Sequence, residues 1–186
     1  MRPSAVATHR LFFALWPGED VRHAIAARAR DFAAVCAPGG RAVAPERYHL
    51  TLQFLGSFAG LPEATVEGAI AAGEQVHAPE FTLLLDRVGS FERNRVWWLG
   101  CGLSPGLRHL HGQLGAALAA AGLPADVAPF VPHVTLGRGQ KQQLRPQAVD
   151  PLAWTLRDFV LVDSAADAPA YRIVRRWPLD PVNRGS

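Results

Sequence analysis

A chain of 186 residues, 49% hydrophobic and 19% charged with no long polar tract, is suited to one folded domain spanning 1–186 and excludes a disordered protein. Its formal charge is +3 and its pI about 9.4, with arginine supplying every basic side chain except Lys141. Arginine's planar fork suits phosphate, yet a basic composition alone does not single out a nucleic-acid partner.

Residues 10–16 are aromatic and apolar, end at Pro17-Gly18, and read as a buried strand. This run is too short to cross a bilayer and lacks a small-residue cleavage site, so the expected address is cytoplasmic, with no membrane partner. Glu19 and Asp20 suit a helix N-terminus, and Val21, Ile25, Ala29, Phe32 and Cys36 recur at helical spacing until Pro38-Gly39-Gly40. Residues 48–55 alternate, with His49, Thr51 and Gln53 on one face and Leu50, Leu52 and Phe54 on the other. Pro62 opens a second helix, and strands are expected over 81–88 and 95–103, joined by a turn at Arg93-Asn94.

Ser104-Pro105 resembles an N-cap followed by a first-turn proline, with Leu107, Leu110, Leu114 and Leu118 on one face and Gly122 beyond the end. A strand at 130–136, a polar linker over 139–147, a strand over 155–162 and a last strand near 171–177 complete the chain. This interleaving of strands and helices favours an α+β fold. Cys36 and Cys101 have no disulfide or zinc spacing and are expected to be reduced and buried.

One short pattern recurs: His49-Leu50-Thr51-Leu52 and His133-Val134-Thr135-Leu136. On a strand each histidine projects with its threonine while the aliphatic neighbours anchor in the core. For phosphodiester cleavage this set is chemically sufficient: one neutral imidazole can take a proton from water while the other, as imidazolium, gives one to the departing oxygen, because histidine's pKa of roughly 6.5 keeps both forms available. Hydroxyls of Thr51 and Thr135 can donate to non-bridging phosphate oxygens, and Arg138, on the same extended stretch as His133, is the expected phosphate clamp. No metal is needed for this chemistry, and no cofactor motif is present.

Other residues carry less. His109 and His111 lie two apart on the third helix, about 200° around it, so they cannot share an ion and are expected in solvent. His9, His23 and His77 have no partner motif. Core packing is the simpler account of Trp97 and Trp98, and Tyr48 points away from His49. Arg145, Arg157, Arg172, Arg175 and Arg176 read more simply as dispersed solubility charges than as an RNA track.

The series Arg10-Leu11-Phe12-Phe13-Ala14-Leu15, Pro45-Glu46-Arg47-Tyr48, the two histidine motifs, Arg95-Val96-Trp97-Trp98, Leu161-Val162-Asp163-Ser164 and Tyr171 spans nearly the whole chain. In that order it resembles the two-histidine phosphoesterase superfamily, and within it the RNA 2′,3′-cyclic phosphodiesterases, also called 2′-5′ RNA ligase-like proteins. The resemblance implies a bilobal fold: two antiparallel sheets with outer helices, related by a pseudo-two-fold axis, and an active cleft between the lobes. It implies that His49 and His133, with Thr51, Thr135 and Arg138, convert a cyclic phosphate on an RNA end or nucleotide to a 2′-phosphomonoester. Some members join tRNA halves reversibly through a 2′-5′ bond. Phe13 matches a position expected to touch the base or line the cleft. His49 is assigned the acid and His133 the base, although the near-symmetric motifs leave the reverse open. A monomer is expected. Alternatives are 2′-5′ ligation, cleavage of 2′-5′ linkages, or an RNA-end binder without catalysis.

Overall fold

A computed structural model describes residues 7–35, 39–125, 129–166, 168 and 170–181. Cys36, with the expected helix stop at Pro38, lies outside the described residues. In chain order the elements are β1 (Thr8–Leu15), α1 (Glu19–Val35), β2 (Arg41–Ala42), a 3-10 turn (Pro45–Arg47), β3 (Leu50–Ala59), α2 (Glu63–Glu74), β4 (Phe81–Phe91) and β5 (Val96–Gly100). They continue with α3 (Pro105–Ala120), β6 (His133–Arg138), β7 (Gln147–Leu156), β8 (Asp158–Ala165) and β9 (Arg172–Pro178).

Helix α3 forms as its sequence dictates. The Ser104 hydroxyl accepts a hydrogen bond from the Leu107 amide at 3.3 Å, Pro105 occupies the first turn, and the four-leucine stripe is buried. Gly122 takes the left-handed conformation at φ 68°, which closes the C-terminus without a Cβ clash. The expected single strand over 155–162 is instead two strands, β7 and β8, meeting at Arg157. Pro151 and the polar start of β7 disguised it. Proline is tolerated there because β7 is an outermost strand, with one side free of ladder hydrogen bonds.

The antiparallel strands follow the order β7-β4-β5-β6-β3-β1-β8-β9, with β2 added against β6. Two four-stranded halves are thus present, but they are not separate sheets. One pair, Leu50 with Val134, joins them into a continuous ladder, and the innermost strands are β3, which begins just after His49, and β6, which begins at His133. Helix α3 packs on β3 and β4, α2 on β9 and α3, and α1 on β7. The main core lies beneath these helices. A smaller cluster of Phe12, Ala14, Val160 and Val162 packs on the opposite face and supports the cleft.

Candidate active site

Leu50 and Val134 are fully buried, so the residues beside them face outward. Antiparallel pairing at this one point sets His49 across from Thr135 and Thr51 across from His133. The two histidines therefore occupy opposite corners of one face, where a phosphate can enter between them. Each ring is fixed in the same way: His49 Nδ1 donates to the Arg47 carbonyl and His133 Nδ1 to the Val131 carbonyl, both at 2.7 Å. A carbonyl only accepts, so Nδ1 carries the proton and Nε2 remains for proton exchange in the neutral ring.

Strict alternation fails after both motifs. Register shifts leave Leu52 unpaired opposite β1 and Leu136 unpaired opposite β5, and such bulges turn the following residues over. Gln53, expected beside His49 and Thr51, is therefore buried on the helical side, with its amide nitrogen 3.1 Å from His111 Nε2. Its partner across the strands is Phe13, whereas Phe54 pairs with Phe12 on the cleft face. After the second motif, Gly137 pairs with Trp97, and Arg138 reaches the cavity that His49 and Thr135 line.

That cavity, of about 280 Å³, is also lined by Arg41, Arg47 and Tyr171. Thr51 and His133 do not line it but sit across the Leu50–Val134 pair. Around His49 stand Phe12 at 5.0 Å, Trp16 stacked at 5.7 Å and 10°, and Tyr171 edge-on at 5.5 Å. His133 meets the Phe91 ring at 4.8 Å.

Phe13 does not line the cleft. It is fully buried on the helical side against Phe159 and Trp177, and Phe12, one residue earlier, holds the cleft position. Alternation along β1 makes the two exclusive. His111 is not in solvent but stacks on Phe130 at 4.0 Å. Trp97, Trp98 and Tyr48 are buried, and among the described residues no group of three His, Cys, Asp or Glu could hold a metal. Arg41, Arg47 and Trp16 were not singled out from the sequence. Arg47 carries a readable signal only in hindsight, since its carbonyl lies two residues before His49, as Val131 does before His133.

Residues 17–168 match the family model described as the 2'-5' RNA ligase superfamily. The chain belongs to that superfamily. It is 35% identical over 175 residues to the Escherichia coli (strain K12) protein named RNA 2',3'-cyclic phosphodiesterase, covering 91% of this chain and 96% of that one. The protein of the same name from Thermus thermophilus is 30% identical, covering 91% and 90%. Among solved structures, E. coli LigT complexed with 3'-AMP superimposes with a TM-score of 0.73 at 32% identity, over 92% of this chain and 98% of that chain. TT0787 of Thermus thermophilus gives 0.75 at 27% identity, over 92% and 98%. The resemblance drawn from the motif series and the α+β class are both borne out.

In this superfamily member the histidines sit in an environment that disfavours charge. Burial is the main cause, and it lowers His49 from its ordinary 6.5 to about 4, helped by positive charge at His133, Arg138 and Arg10 and opposed by the Arg47 carbonyl. His133 is also lowered, first by burial and then by Arg138, against the Val131 carbonyl. Both rings are neutral near pH 7 in the free protein. A consequence is measurable without substrate. Between pH 6.5 and about 4 the unfolded chain holds a proton on residue 49 that the folded chain does not. Stability is therefore complete above 6.5 and falls as pH drops through that window. In urea unfolding across this range, His49→Ala is expected to flatten the slope.

Proposed function

We propose that this protein hydrolyses terminal 2′,3′-cyclic phosphates of RNA to 2′-phosphomonoesters by acid–base catalysis between His49 and His133. The observation that carries the reading is the paired arrangement across Leu50 and Val134: two histidines, each held through Nδ1 by a carbonyl, each facing a threonine. The names of the relatives agree with it, and LigT has been solved with a nucleotide, 3'-AMP, and with phosphate, ligands of the same chemical class.

Neutral His133 takes a proton from water through Nε2 as the oxygen attacks phosphorus. His49, as imidazolium, gives its Nε2 proton to the departing 3′ oxygen, and one P–O bond forms as the other breaks. Negative charge grows on the non-bridging oxygens, where the Thr51 and Thr135 hydroxyls and the Arg138 guanidinium donate. The products are a 2′-phosphomonoester and a free 3′ hydroxyl, and solvent exchange resets the protons.

His49 is neutral in the free protein, so the acid forms when the substrate arrives. The bound anion offsets the surrounding positive charge, and the stacked Trp16 face stabilises an imidazolium. His133 meets the Phe91 ring edge-on, without such stacking, which favours the assignment of His49 as acid. The reaction as written needs no metal, and the enzyme is taken to work as a cytoplasmic monomer. Among the described residues no helix is long and apolar enough to cross a membrane.

The test is product analysis. Wild-type protein with an oligoribonucleotide ending in a 2′,3′-cyclic phosphate is expected to yield the 2′-phosphate. A 3′-phosphate would require the other ribose oxygen to leave, joined oligonucleotides would favour 2′-5′ ligation, and binding without turnover would leave an RNA-end binder.

A further inference from the structure

Residues 54 and 138 stand at the same place after their motifs, each five beyond its histidine and each turned to the cleft side by a bulge. Their chemistry differs. Arg138 lines the cavity with His49, while Phe54 is 37% exposed with the Arg10 guanidinium over its ring at 5.4 Å. From this we infer that Phe54 and Arg10 form a docking platform for the nucleotide preceding the cyclic phosphate, making single-stranded RNA a better substrate than a cyclic mononucleotide. The inference rests on the cyclic-phosphodiesterase reading and names the substrate class of that site.

Three observations support it. Phe12, whose ring touches His49, pairs with Phe54, so the platform continues the catalytic face. Thr51 pairs with Ala14 and Phe54 with Phe12, so Phe54 lies two ladder steps, about 7 Å, from Thr51, on the scale of one extended nucleotide step. Arg10 is exposed, pairs with Ser57 and Ser164 on its two neighbouring strands, and among the described residues meets no carboxylate. Its charge also reaches His49. An exposed ring gives any base a stacking face, and an adjoining guanidinium with hydroxyls suits the connecting phosphate. Fixing the strand here leaves the arginine-lined cavity for the terminal nucleotide.

Wild type, Phe54→Ala, Phe54→Trp and Arg10→Ala would be compared on 2′,3′-cyclic AMP and on a short oligoribonucleotide ending in the same cyclic phosphate. Phe54→Ala is expected to lose about tenfold in kcat/KM on the oligonucleotide, with little change on the mononucleotide, while Phe54→Trp retains activity on both. Arg10→Ala is expected to weaken the salt dependence of oligonucleotide KM by roughly one phosphate contact. Equal losses on both substrates, or no loss on the oligonucleotide, would overturn the platform while leaving the cyclic-phosphodiesterase reading intact. Wild type inactive on both would remove that reading and the platform with it.

Discussion

His49→Ala is expected to lose about 10²–10⁴-fold in turnover of a 2′,3′-cyclic phosphate, and to recover most of that loss when the leaving oxygen no longer needs a proton. A suitable substrate is the 2′-(p-nitrophenyl phosphate) of a 3′-deoxynucleoside. Nitrophenolate then departs in place of the ribose 3′ oxygen, and no neighbouring hydroxyl can attack. His133→Ala should stay slow on both substrates, because water must still lose a proton. Rescue of His133→Ala instead would reverse the assignment, with His133 as acid. The free-state electrostatics make this a real test, since the Arg138 and Arg10 charges both oppose protonation of His49, whereas only Arg138 is identified as doing so at His133.

Arg138→Ala is expected to cost about 10²–10³-fold in kcat, the scale of losing one donor to a developing phosphoryl charge. Arg138→Lys should recover only part, because an ammonium cannot reproduce the bidentate fork. Arg41 pairs with Arg138 between β2 and β6 and lines the same cavity, so it keeps the pocket positive but does not supply the fork at that position. Steady-state kinetics of the two variants decide this. If Arg138→Ala raised KM and left kcat unchanged, Arg138 would bind ground and transition states alike. Arg138 would then be an anchor for substrate.

The paired His-x-Thr pattern made the centre of the site legible because strand periodicity alone puts each histidine beside its threonine. Helix α3 was legible because cap, proline and leucine stripe all agree. Period two could not reveal a bulge. Unbroken alternation puts Gln53 on the cleft face and turns Arg138 away from His133; the bulges at Leu52 and Leu136 reverse both. Phe13 and Phe12 are equally apolar neighbours, and only the facing of β1 tells them apart. Strand β7 escaped because Pro151 argues against a strand, except at an edge that sequence does not show. The aromatic surroundings of His49 come from β1, the segment before α1 and the residue just before β9, brought together by tertiary packing with no local signature.

The most direct measurement incubates wild type, His49→Ala and His133→Ala, in EDTA, with an oligoribonucleotide ending in a 2′,3′-cyclic phosphate and resolves the products by chromatography. Conversion to the 2′-phosphate by wild type, with each variant slowed at least about a hundredfold, is the expected result. Turnover that survives both substitutions, or wild-type turnover abolished by EDTA, would contradict a two-histidine mechanism.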